Sequence, residues 1–338
     1  MNASSTLTRR YKKQKSMLGS TAPWAWVIEP VHGCNLRCGH CSCRLDKPNT
    51  YHYIKEDSWI QAWSIISKVA PTTRADLCLG GEPTLHPDIY QLLKLARKIS
   101  PLTQIQITTN GTMLLSGKLE YRELLAAGAN IIYTDMYGPH SKFVDMAKES
   151  GIAWYEYYKK PKDAPSPWTY NGPDLKLIVL QEQPENWPKS RYRAGLLGTW
   201  FNHLDWEAAK RFGLTPVTQA PARRCNQPFR YSCIDSKGYY LLCCQDNVGE
   251  TSGMFGNVSE GVDGFLKFWY GKKMQTYRVN LMAKNRMANS QCSRCNITFS
   301  RCDYKHWKDE QSRNYWTDKE WLPLNAKIQI RSRSSKQY

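Results

Sequence analysis

The chain lacks any long apolar run. No stretch of its 338 residues approaches the ~18 apolar residues that a membrane helix requires. The first twenty residues are polar and basic and lack the apolar centre of a secretory signal. Both absences predict a cytoplasmic protein with no membrane contact. They also argue against a secreted disulfide framework as the reason for twelve cysteines. In a reducing compartment, clustered cysteines read as metal ligands. Internal repeats and long low-complexity tracts are also missing.

Acidic residues are absent from three segments. Residues 1–20 carry five Lys or Arg, 325–338 carry four and 265–301 carry eight, together seventeen of the eighteen net positive charges. The ends read as a basic disordered tail over residues 1–20 and a basic C-terminal tail over 311–338. In the internal segment Trp269, Tyr270 and Tyr277 interleave with Lys272, Lys273 and Arg278. That pattern is compatible with nucleic-acid contact, although no recognised nucleic-acid fold accompanies it.

A hydrophobic fraction of 41% is enough for a real core, and the length fits a large domain plus a small one. Strand and helix patterns alternate from about residue 24 to 185. Strands are predicted at Trp24–Ile28, Ala75–Leu79, Gln104–Thr108, Asn130–Asp135, Ile152–Tyr157 and Leu175–Leu180. Helices are predicted at Asp57–Val69, after Pro87-Asp88, and at Leu119–Ala127, which Gly128 ends. Repeated βα units imply an α/β fold with a parallel sheet, open or curled into a barrel, and function at the carboxyl ends of its strands. After residue 220 Gly and Asn become common and seven of the cysteines appear, which sets a boundary near 215–222.

The run Cys34-Asn-Leu-Arg-Cys38-Gly-His-Cys41 places three thiols close together. A structural zinc normally takes four protein ligands, and most cubane iron–sulfur clusters are held by four thiolates. Three point to a cluster with one open iron, where a substrate or cosubstrate binds. Two further motifs follow at successive strand ends, Gly80-Gly81-Glu82-Pro83 and Thr109-Asn110-Gly111.

The three motifs in this order resemble the radical S-adenosylmethionine superfamily. The resemblance runs from about residue 24 to 310. It implies a partial (β/α)6 barrel over residues 21–218, followed by a small cysteine-rich auxiliary-cluster domain over 219–310. It also implies a [4Fe–4S] cluster on Cys34, Cys38 and Cys41 whose fourth iron chelates S-adenosylmethionine. One electron then cleaves the sulfonium, and the resulting 5′-deoxyadenosyl radical takes a hydrogen atom from substrate. Gly80 and Gly81 would let the backbone approach the cofactor. Glu82 would face the methionyl ammonium, and Thr109 and Asn110 the ribose hydroxyls or the carboxylate. His40 departs from the carbocyclic aromatic that the family usually places there, which leaves the adenine contact open. Cys43 and Cys78 read as spare thiols and His86 as a helix-entry residue.

The later cysteines resemble the SPASM and twitch extensions of the same family. Twelve residues separate Cys225 from the Gly238-x4-Cys243 unit, and Cys292-Ser-Arg-Cys295 closes the set. Met254–Val258, Trp269-Tyr270-Gly271 and Arg193-Ala194-Gly195 sit where similar words occur in that family. The implied ligands of one auxiliary [4Fe–4S] cluster are Cys225, Cys243, Cys292 and Cys295. Cys233 and Cys302 are alternative ligands, and a structural zinc at the same thiols is the alternative metal. Seven cysteines cannot supply two all-cysteine clusters.

The resemblance implies a low-potential electron donor of flavodoxin or ferredoxin type. Such acidic proteins suit the basic segment. The expected substrate is a peptide, protein or small metabolite. A nucleoside or nucleic acid is the runner-up, and a non-catalytic metal-bound module is the third reading. Cys78, Cys233 or Cys302 could donate hydrogen to a substrate radical, and no sequence feature selects among them.

Overall fold

A computed structural model describes residues 22–38, 41, 50–182, 225, 227–246 and 249–293. The expected domain boundary and both basic tails lie outside them. Ten strands occur among the described residues: β1 Ala25–Ile28, β2 Val31–His32, β3 His52–Tyr53, β4 Arg74–Leu77, β5 Gln104–Thr109, β6 Ile131–Met136, β7 Trp154–Glu156, β8 Leu177–Glu182, β9 Tyr231–Ile234 and β10 Tyr240–Leu241. The helices are α1 Glu56–Val69, α2 Ile89–Ile99, α3 Thr112–Leu115, α4 Tyr121–Ala127, α5 His140–Glu149, α6 Gln227–Arg230, α7 Gly261–Tyr270, α8 Lys272–Met282 and α9 Ser290–Ser293. No helix among the described residues is long and apolar enough to cross a membrane.

Eight strands form one sheet in the order β10-β9-β1-β4-β5-β6-β8-β7, parallel except for β10. This is the α/β, mostly parallel sheet of a partial barrel. Two features go beyond the sequence reading. The strand near residue 155 does not sit between its chain neighbours: β8 pairs directly with β6, and β7 lies beyond it at the edge. The Cys-rich segment, expected as a separate small domain, adds its first hairpin to the same sheet, with β9 parallel to β1.

Side chains alternate across the sheet. One face carries Trp26, Ile28, Ala75, Leu77, Ile105, Ile107, Ile132, Ile178 and Leu180, all in the main core. Helices cover it because their apolar residues recur at helical spacing. Examples are Trp59, Trp63 and Ile66 on α1 and Ile89, Leu92, Leu93 and Ala96 on α2. Trp59 Nε1 donates to Leu92 O at 2.8 Å and ties the two helices. Helix α7 packs on α1, and Phe265 sits 4.9 Å from Trp26, ring to ring. Tyr240 stacks on Phe268 at 4.6 Å. Residues before and after the predicted boundary therefore share one core.

The opposite, inner face is more polar. Arg74 and Asp76 of β4 form a buried two-point ion pair at 2.7 and 2.8 Å. Gln104 and Gln106 follow on β5, and Ile131 and Tyr133 on β6. Trp168 lies 5.1 Å from Tyr133 and 5.5 Å from the Arg74 guanidinium.

The basic-aromatic segment is mostly internal. Trp269, Tyr270 and Arg278 are buried. Arg278 donates to Pro228 O at 2.9 Å and to Trp269 O at 2.6 Å, at the negative end of α7, and its guanidinium lies 4.3 Å from the Trp269 ring. These side chains are not a surface that a polynucleotide meets. Among the described residues the exposed cations there are Lys267, Lys272, Lys273 and Lys284.

Candidate functional site

Three loops meet at the carboxyl ends of β1, β4 and β5. Between β4 and the Gly-Gly turn, Leu79 takes a φ of +139°, a region that a β-carbon disfavours. The kink carries Gly80 and Gly81 across the β1 loop. Gly33 N donates to Gly80 O at 3.3 Å, and Glu82 N donates to Gly33 O at 3.0 Å. A Cβ on Gly81 would stand 2.0 Å from Val31 O. The glycine at 81 is therefore required by its own neighbouring chain, a reason absent from the sequence reading.

Glu29, just past β1, fixes this crossing. Its buried carboxylate accepts from Gly80 N and His32 Nδ1 through Oε1 and from Ser236 N through Oε2, each at 2.9 Å.

Glu82 is buried beneath the crossing. Its Oε1 accepts from Thr84 N (3.0 Å), Thr84 Oγ1 (2.5 Å) and Thr109 Oγ1 (2.7 Å), and its Oε2 from Asn110 N (2.7 Å). Burial pushes its carboxyl up, against those four bonds. Among the described residues no cationic side chain pairs with it. Asn110 bridges the other way: its Nδ2 donates to Cys34 Sγ at 3.4 Å and to Asn35 Oδ1 at 3.0 Å. Its Oδ1 accepts from Thr112 N at 3.0 Å and Thr112 Oγ1 at 2.7 Å. The side chains of Thr109 and Asn110 thus join the three motifs to one another.

Burial is the main reason the Cys34 thiol is pushed up to about 11. Glu82 and Cys41 nearby add to the rise, while bonds from Leu36 N and Asn110 oppose it. Cys38 and Cys41 are joined through Cys41 N and Cys38 O at 3.1 Å. Among the described residues no three His, Cys, Asp or Glu side chains already stand at metal-holding distances. The donor set nonetheless fits a cationic metal centre. A thiol that resists ionisation, as Cys34 does, loses its proton when metal supplies the counter-charge, and Glu82 is a buried carboxylate that no cation among the described residues pairs with. His40 and Cys43 lie outside the described residues. His86 enters the helix as expected, with Nδ1 accepting from Asp88 N at 3.1 Å.

A second group of thiols gathers behind the hairpin. Gly238 turns it at φ +81°, and Val258 N closes on Gly238 O at 2.8 Å, which explains the flanking Phe-Gly-Asn-Val word. Burial pushes the Cys243 thiol up, with Cys244, Cys225, Cys233 and Cys292 adding to the effect. Three of the four expected auxiliary ligands are therefore neighbours. Cys295, Cys302 and Arg193-Ala194-Gly195 lie outside the described residues. Cys78, Cys233 and Cys244 also meet, around Val27 and Leu241 on the inner face.

Residues 28–162 match the family model of the radical SAM superfamily, and 225–296 match SPASM, an iron–sulfur cluster-binding domain. The chain belongs to the radical S-adenosylmethionine superfamily. The chain is 31% identical over 116 residues to a 7,8-dihydro-6-hydroxymethylpterin dimethyltransferase of Methanocaldococcus jannaschii, covering 34% of this chain and 22% of that protein. It is 32% identical over 88 residues to a GTP 3′,8-cyclase of Chlorobaculum tepidum, covering 26% of each. A PqqA peptide cyclase of Bradyrhizobium diazoefficiens is 26% identical over 157 residues, covering 46% of this chain and 38% of the cyclase. The matches thus span well under half the length of these curated relatives. Among solved structures, BtrN in complex with AdoMet and 2-DOIA superposes with a TM-score of 0.59 at 17% identity, covering 82% of this chain and 95% of that one. That likeness shows the fold. The radical SAM domain implies S-adenosylmethionine and a [4Fe–4S] cluster, and the SPASM domain implies auxiliary iron–sulfur binding.

Sequence reasoning missed Glu29, Asn35, Thr84 and Thr112. Each lies in or within three residues of a recognised motif or strand end, but the roles of Glu29, Asn35 and Thr112 depend on contacts between loops far apart in the chain.

Proposed function

We propose that this protein is a radical SAM enzyme that abstracts hydrogen from a peptide, protein or small metabolite. One observation carries the reading: Asn110 bonds Cys34 Sγ through its side chain and Glu82 through its backbone, joining all three motifs at one end of the sheet. Cys34, Cys38 and Cys41 would hold the [4Fe–4S] cluster. Glu82 would supply the negative charge for the α-ammonium of S-adenosylmethionine, and Gly80 and Gly81 would shape the loop beside it. Asn110 would donate to a cluster thiolate, a bond that raises the cluster's potential, and Thr109 would orient Glu82. When bound, the pair supplies a 5′-deoxyadenosyl radical by one-electron cleavage of the sulfonium.

Cys225, Cys243, Cys292 and Cys295 would hold one auxiliary [4Fe–4S] cluster, fully ligated and so without a position for a cosubstrate. Exposed Lys267, Lys272 and Lys273 would steer a low-potential, acidic flavodoxin or ferredoxin. Burial of Trp269 and Arg278 favours this role for the segment over nucleic-acid binding.

The test is anaerobic reconstitution. About eight irons per chain are expected from two four-iron clusters, with 5′-deoxyadenosine released on adding S-adenosylmethionine and reductant. Cys34→Ala should abolish release and keep the auxiliary iron. Zinc in place of iron, with no deoxyadenosine, would overturn the reading.

A further inference from the structure

Gln106 is the anomaly of the inner face. Its side chain is fully buried, and among the described residues neither Nε2 nor Oε1 has a hydrogen-bond partner. A primary amide offers two donors and an acceptor oxygen, and leaving both ends unmet in the interior is costly. The polar residues that register brings beside it are committed elsewhere. Asp76, level with it on β4, has both oxygens held by Arg74. Gln104, two residues earlier, donates to Thr169 O at 3.0 Å and accepts from Asn171 N at 2.6 Å. On the other side β6 presents Ile131, whose side chain can neither donate nor accept.

Toward the carboxyl ends of the strands the same face opens. Thr108 follows Gln106 by two residues and is partly exposed, as are Cys78, Asp135 and Gln181. Alternation and register place all four on this face. It is the end from which the loops of Cys34, Glu82 and Asn110 emerge. Gln106 therefore lies one step below an open polar rim, on the side of the candidate cofactor loops.

We propose that Gln106 anchors the substrate, and that the anchored group is an uncharged amide edge, a primary carboxamide or a lactam, presenting one donor beside one acceptor. The proposal rests on the radical SAM reading of the adjoining loops. Such an edge satisfies both ends of the Gln106 amide at once, which a singly charged group does not. A carboxylate would accept from Nε2 and leave Oε1 unmet, and it would face Asp135 at the rim. An ammonium or guanidinium would serve Oε1 alone. Arg74 attracts no anion here, because Asp76 already neutralises it.

The experiment uses the reconstituted full chain and two small probes, propionamide for the carboxamide and 2-piperidone for the lactam. Propionate and guanidinium are the controls. Saturation-transfer NMR titrations should show at least one probe binding and neither control. Response to propionamide alone assigns a carboxamide, and response to 2-piperidone alone assigns a ring lactam. Gln106→Leu and the nearly isosteric Gln106→Met should weaken the responding probe tenfold or more. Both variants should melt no lower than wild type, since each removes a buried amide without partners. Equal probe affinity in wild type and variants would overturn the proposal. So would a marked loss of melting temperature in both variants, which would make Gln106 a structural amide. Deoxyadenosine release by wild type, measured in parallel, decides the radical reading separately: its absence removes that reading, whereas the probe titrations alone decide the subsite.

Discussion

Single atoms decide much of this site. The Gly80-Gly81 pair is visible in the sequence, and its natural explanation there is clearance for a cofactor. At Gly81 the clearance belongs to Val31 O, which an added Cβ would meet at 2.0 Å. Gly81→Ala must push the β1 loop away, so it should destabilise the protein before any ligand is added. The expected loss is about 1–3 kcal/mol, in line with overpacking elsewhere, and thermal unfolding of the metal-free chain measures it. Glu82 carries a second prediction. Burial raises its folded-state pKa above the ordinary 4.5, so the proton is held more tightly in the folded protein than in the unfolded one. The group therefore favours folding at low pH and loses that contribution as pH rises through its folded value. Ammonium binding has the opposite requirement and needs the carboxylate. Affinity for S-adenosylmethionine should fall as pH drops through the raised value, and calorimetric titrations from pH 8 downward check it. A flat profile would remove Glu82 from that role.

At the scale of the element, alternation made the strands legible. Gln-Ile-Gln-Ile in β5 and Arg-Ala-Asp-Leu in β4 announce strands with one apolar face. They do not announce what the other face does. Arg74 and Asp76 look like solvated charges in sequence, yet both are buried and bonded to each other. Asp76→Ala would leave a buried guanidinium without its counter-charge, a change that typically costs 3–5 kcal/mol. Chemical denaturation should show a lower midpoint with an unchanged slope. Helix α8 misled for the converse reason. Its Lys, Tyr and Arg spacing reads as an exposed basic face, but the partners of Arg278 are backbone carbonyls, which no residue pattern reveals. The exchanged order of β7 and β8 was equally hidden, since three residues of strand carry no mark of an edge position.

For the whole molecule, composition divides the chain into a large and a small part, whereas the core does not. Phe265 and Phe268 reach the layer that holds Trp26 and Trp59, and β9 completes the sheet beside β1. Burying each such aromatic is worth about 1.5–3 kcal/mol, a large fraction of the 5–15 kcal/mol by which a domain is stable. A chain cut after residue 224 would leave β1 as an open edge and that layer uncovered. It should bind a hydrophobic dye and unfold without a cooperative transition; cooperative melting of the fragment would show that the first part folds alone. The cysteine spacings were legible as two groups, and in the structure Cys34 lies near Cys41 and Cys243 near Cys225 and Cys292. Glu29 was not legible, because its bonds to Gly80 and Ser236 join residues distant in the chain.

The pairing of β1 with β9 also sets a schedule. Ala25 lies opposite Tyr231, so β1, once made, waits for about two hundred further residues before this neighbour exists. During that interval Trp26 and the thiol loop beyond Ile28 belong to a nascent chain that has no finished sheet. Translation runs at roughly 5–20 residues per second, which makes the wait tens of seconds at the slow limit. The thiol loop therefore gains its Glu29–Ser236 support only once residue 236 has been made, long after its own cysteines.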